Sequence, residues 1–147
     1  MLHDQSIKNR SKHLISTDDR EFLSQFEARL FPENEFHHRE HVRLAYILLT
    51  QHVAREAHAR FRSGLKAFIN YHGIEKSKYH ETISRAWMLA VDLFMNQSDP
   101  SSSSEEFISQ NPRLLKTEIM LTHYSRERLF SESARTAFVE PDLEPIP

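Results

Sequence analysis

Three short segments gather side chains that can accept, donate or move a proton. They are Phe36-His37-His38-Arg39-Glu40-His41, Lys78-Tyr79-His80-Glu81-Thr82 and Thr122-His123-Tyr124-Ser125. In each, a histidine stands next to an apolar stripe of helical spacing. Imidazole titrates near neutrality, which suits general acid–base work, and its neutral form ligates divalent metals. Helical bundles build ligand and metal sites from side chains on facing helices. The same residues also fit a plainer role as buried histidines, each holding a hydrogen-bond partner. An unpaired polar group in a core costs roughly 1–3 kcal/mol, so a partner is required in either case.

Spacing ranks the candidates. His38 and His41 are three apart, and His37 and His41 four apart, so each pair can share a helix face. Two histidines one turn apart can hold a metal; His38 and His41, with His80 at the head of the other inward stripe, are the metal candidates. The order His-Arg-Glu-His is not the zinc-protease pattern, because Glu40 directly precedes His41 and turns off the shared face. One Glu-x-x-His match, Glu35 to His38, has no second inward copy, which argues against a di-metal oxidase. His41 heads the stripe Ala45, Leu48, and His80 heads Ile83, Trp87, Val91. These two are the candidate catalytic bases. His41, Tyr79, His80 and Tyr124 are the candidate ligand-binding set. Glu81 and Thr82 turn about 100° and 200° away from His80 and are expected to contact other elements. His123 fits a helix C-terminus, His58 and His72 flank a stripe, and His3, His13 and His52 read as solvated.

Composition closes several routes. There is no cysteine, hence no disulfide, thiolate zinc site or cysteine nucleophile. A reducing cytoplasm fits that usage. Only Gly64 and Gly73 are glycines, so no glycine-rich phosphate loop can be built. The formal charge of −2 gives no electrostatic case for nucleic acid or an anionic membrane as partner. No apolar run is long enough to span a bilayer. The 147 residues fit one domain with an ordinary core.

The elements that must position these residues are helices. Thr17 reads as an N-cap, with Phe22, Phe26 and Leu30 forming the stripe of a helix over about 18–30 that Pro32 ends. A second helix opens near Asn34 or Glu35 and carries Val42, Ala45, Leu48, Leu49 and Val53 inward. A third carries Phe61, Leu65, Phe68 and Ile69 and stops at Gly73, a left-handed cap. Ser77 is expected to cap a fourth, with Trp87 at the centre of its stripe. After a serine-rich loop, Ser103 or Ser104 caps a short helix, and Pro112 begins further short helical pieces. No segment alternates like a strand. The fold class is therefore all-α: an irregular bundle of about four longer helices, a short helical C-terminal segment and an extended tail. Residues 1–16 read as a mobile arm, 17–140 as one helical domain and 141–147 as a Pro-rich tail that cannot be helical.

The segments His37–Ala45, Lys78–Ile83 and Leu129–Leu143 resemble a group of small bacterial proteins with no known activity. The resemblance spans about residues 20–143. It implies a free-standing bacterial domain and carries no chemistry with it.

Two readings follow. One is a cytoplasmic helical domain whose second and fourth helices enclose a histidine-lined pocket for a small molecule or a divalent metal, with enzymatic use of His41 or His80 as its extension. The other is a non-catalytic module that binds a protein partner or a second copy, with structural histidines.

Overall fold

The computed structural model describes residues 10–146 and is all-helical, with no strand among the described residues. Helix α1 spans Thr17–Glu27, α2 His38–Gln51, α3 Ala54–Tyr71, α4 Glu81–Gln97 and α5 Ser104–Gln110. Two 3₁₀ segments follow, Pro112–Leu115 and Thr117–Thr122. Two short helices, α6 (Arg126–Leu129) and α7 (Glu132–Thr136), close the chain before the tail.

Helix α2 is the centre. Val42 and every residue from Leu44 to Leu49 are buried, because α1, α3, α4 and α5 surround it. A stretch apolar on all sides must be enclosed, and Leu44–Leu49 is. Helices α3 and α4 are one-sided: α3 buries Ala57, Phe61, Leu65 and Phe68, and α4 buries Thr82, Ala86, Trp87, Met88, Val91 and Met95.

The helix ends depart from the sequence reading in ways hydrogen bonding explains. Ser16, not Thr17, caps α1: its Oγ accepts from the Asp19 N–H at 3.1 Å, and the Asp19 carboxylate accepts from the Ser16 N–H at 3.1 Å. That reciprocal pair satisfies two otherwise orphaned donors, one more than Thr17 could. Helix α1 stops at Glu27, short of Pro32, because Arg29 takes a left-handed φ of 64°. Leu30 is thrown out to 72% exposure, and Val53 to 71% in the link between α2 and α3. Before α2, Glu33–Glu35 form a separate 3₁₀ turn, so the helix proper begins at His38. Before α4, Lys76–Lys78 do the same, and His80 replaces Ser77 as the cap. Gly73 ends α3 at φ 68°, as its type requires.

Residues 1–9, with His3, lie outside the described residues. Residues 10–16 are packed onto the bundle. Arg10 bonds the Leu49 carbonyl and pairs with Asp92 at 2.9 Å. His13, expected to be solvated, is 2% exposed: it accepts from the Ser101 N–H at 3.1 Å and donates to the Met95 carbonyl at 2.7 Å. The loop after α4 leaves those backbone groups without helical partners, and the imidazole supplies both. At the other end, the tail bonds back through Leu143 N–H to the His123 carbonyl, 2.9 Å. Residues 141–146 contain no helix, in keeping with their prolines.

Candidate functional site

The positive ends of α2 and α4 open onto one side of α3. The segment Thr117–Thr122 and helix α6 cover that side, leaving a cavity of about 670 Å³ between them. Its walls are mainly apolar and aromatic: Phe36, Phe61, Leu65, Phe68, Trp87, Met120 and Leu129 among them. His37, His38 and His41 reach it from the start of α2, and Tyr79 and His80 from the start of α4. Phe130 lines it while being 62% exposed, so it stands at the mouth.

His38, His41 and His80 each have a definite hydrogen-bonding state. His80 Nδ1 accepts from the Ile83 N–H at 3.0 Å, capping α4, and Nε2–H donates to the Leu129 carbonyl at 2.8 Å. Both ring nitrogens are committed, so the ring has no lone pair left for a metal or a proton. In this arrangement His80 ties α4 to α6 and walls the cavity. His41 differs. Its Nδ1–H donates to the His37 carbonyl at 3.1 Å, and the ring packs on Phe36 at 4.7 Å between centroids. A carbonyl can only accept, so Nδ1 carries the proton and Nε2 carries an open lone pair. No partner for Nε2 occurs among the described residues. His38 is held the same way round the other nitrogen: Nε2–H donates to the Leu114 carbonyl at 2.8 Å, with the ring 4.4 Å from that of Trp87. Its Nδ1 is the open position.

Burial holds all three imidazoles below their ordinary pKa. For His41 burial is the largest cause; the bond to the His37 carbonyl and the Glu40 charge oppose it, while His38 adds to it. The positive ends of α2 and α4 act in the same direction as burial, since they disfavour a cation. The histidines are therefore neutral at pH 7, and the two open nitrogens are acceptors.

The other candidates fall in different places. Tyr79 lines the cavity, but its hydroxyl donates to Glu81 Oε1 at 2.8 Å, and burial followed by that carboxylate pushes its pKa upward. Glu81 in turn pairs with Arg62 of α3 at 3.2 Å. Thr82 faces the C-terminal segment, donating to the Ala137 carbonyl at 2.9 Å and accepting from Val139 N–H at 3.1 Å. Tyr124 is not on the cavity walls. It is fully buried elsewhere, its hydroxyl donating to the Val139 carbonyl at 2.7 Å and its pKa pushed up to about 12, chiefly by burial. Among the described residues no group of three or more His, Asp or Glu side chains, His38, His41 and His80 included, is placed to hold a metal ion together.

The aromatic walls are not legible in the sequence. Phe61, Leu65 and Phe68 read as an ordinary core stripe, and Phe36 as part of a polar cluster. Nothing in their spacing separates a residue that fills a core from one that faces a void inside it.

No known family, curated protein or solved structure matches this chain. No helix among the described residues is long and apolar enough to cross a membrane.

Proposed function

We propose that the cavity between α2, α3 and α4 is a binding chamber for a small, largely apolar molecule, and that His41 is its polar contact. The observation that supports this most is the open Nε2 of His41 on the wall of a 670 Å³ aromatic cavity. Ligand pockets of roughly 300–1,000 Å³ are commonly apolar, with a few placed polar groups that fix orientation. A neutral imidazole held by its own Nδ1–H is oriented to accept a proton or hydrogen bond from the occupant. Should the occupant be turned over chemically, His41 is the group placed to act as base; His80 is not, because both its nitrogens are used. Charged residues at the cavity, Lys78 and Arg126 against Glu33 and Glu118, balance in sign and give no reason for a strongly charged ligand.

A thermal-shift panel of small aromatic and aliphatic compounds tests the reading. A ligand of the native state stabilises by about 2.7 kcal/mol at one hundred times its Kd. Aromatic alcohols should raise the Tm of the wild type, and His41→Ala should lose most of that rise while remaining folded. A panel with no hit, or a rise equal in the His41→Ala protein, would remove the chamber reading.

A further inference from the structure

Within the proposed chamber His38 and His41 each present an open acceptor and no open donor, and that pair specifies what can occupy the space beside them. His41 and His38 are three residues apart in the first turn of α2, so their side chains are neighbours, roughly 5–6 Å apart at Cβ. Both line the cavity. Each spends its one N–H on a backbone carbonyl, Leu114 for His38 and His37 for His41. Neither remaining nitrogen has a partner among the described residues, and neither is among the side-chain atoms sealed from solvent without one. Two neighbouring imidazoles of the aromatic wall therefore each carry an unpaired acceptor.

We infer that the chamber's ligand class is an aromatic ring bearing two neighbouring hydroxyl groups, one donated to His41 Nε2 and the other to His38 Nδ1. This rests on the chamber reading above and narrows it. The ring matches walls formed by Phe36 and Trp87, whose rings already meet these two imidazoles in T-shaped contacts. Two O–H donors match two acceptors, whereas a ligand lacking them leaves the acceptors desolvated and unpaired, which a site built on hydrogen bonds rejects strongly. Hydroxyls suit the site better than amines because charge shifts onto the donor oxygen as it gives up its proton. The positive ends of α2 and α4, both opening on the cavity, favour that negative charge.

Three probes separate the possibilities: catechol, phenol and 1,2-dimethoxybenzene, which keep the ring and supply two donors, one and none. Each is titrated calorimetrically into the full chain, with and without a chelator. Catechol is expected to bind at least tenfold more tightly than phenol, with dimethoxybenzene weakest and the chelator without effect. In His38→Phe, which keeps an aromatic ring against Trp87, catechol should fall to the affinity of phenol while phenol is unchanged. Circular dichroism checks that this variant folds. If His38→Phe does not fold, the wild-type order of the three probes decides alone. Equal binding of catechol and phenol would overturn the two-donor inference and leave the chamber standing. Binding of none of the three would overturn both. Catechol binding abolished by the chelator would overturn the inference in favour of a metal held by the same two histidines.

Discussion

The cavity contains two kinds of histidine, and the difference lies in what each nitrogen touches. His41 keeps one lone pair open, whereas His80 has none. Their substitutions should therefore have separable effects. His80→Ala removes the cap on Ile83 N–H and leaves the Leu129 carbonyl without its donor. Loss of an N-cap costs about 0.5–2 kcal/mol and a buried unpaired group about 1–3 kcal/mol. The two effects overlap, and the variant should lose about 2 kcal/mol in urea denaturation while keeping its ligand-induced shift. Unchanged stability together with lost binding would make His80 a ligand contact. Sequence identified His41 and His80 as the heads of two inward stripes, and the structure brings both to one cavity. It could not show which nitrogens were free, because the deciding carbonyls of His37 and Leu129 belong to backbone whose course no side-chain pattern reveals. Tyr124 shows the same limit: a tyrosine beside a histidine fits a site or a core equally well until Val139 is placed.

Among the elements, the packing of α1 against α3 turns on Gly64. A Cβ there would lie 2.9 Å from Phe26 Cε2. In an exposed helix interior, Gly→Ala gains about 1 kcal/mol in propensity. Here the ring it meets is not free to yield. Phe26 is 4% exposed and stacks on Phe36 and Phe68, both at 5.3 Å between centroids. Overpacking a filled site costs typically 1–3 kcal/mol, so the clash outweighs the propensity. Gly64→Ala should lower stability by about 1 kcal/mol, read from the denaturation midpoint. A more stable variant would mean that the aromatic stack yields easily. The helices themselves were legible in the sequence because stripes such as Phe61, Leu65, Phe68 dominate their segments. Their ends were not. Ser16 displaced Thr17 and His80 displaced Ser77 because a cap is chosen by the partners it reaches: the Asp19 N–H and carboxylate in one case, the Ile83 N–H and, across the fold, the Leu129 carbonyl in the other.

For the whole molecule, buried neutral histidines set the acid limit of stability. His13, His38, His41, His58 and His80 all sit below the ordinary value of 6.5, each chiefly through burial. The unfolded chain takes up these protons first, near 6.5, so their contribution is complete above that pH and is lost as pH falls through 6.5 towards the depressed folded values. Asp19 adds a separate loss at lower pH. Burial alone would raise it, but bonds from Ser104, Ser16 and Arg43 outweigh this and hold it below 3.8. Asp92 opposes these trends: burial raises it above 3.8, so the folded state gains a proton there before the unfolded one does. Urea midpoints should drop between pH 7.5 and 5.5, before carboxylates titrate in the unfolded chain. A flat profile over that interval would show that the imidazoles are solvated.

The proposed binding chamber, with His41 as its polar contact, has a reporter inside it. Trp87 is the chain's one tryptophan and lines the cavity beside His38. Titration with 4-nitrophenol, whose absorption overlaps indole emission, should quench Trp87 fluorescence along a saturable curve. In His41→Ala the curve should shift to at least tenfold higher concentration, the loss of one charge-assisted or strong hydrogen bond of about 1.4 kcal/mol. Quenching that rises linearly without saturation, and identically in both proteins, would contradict the account.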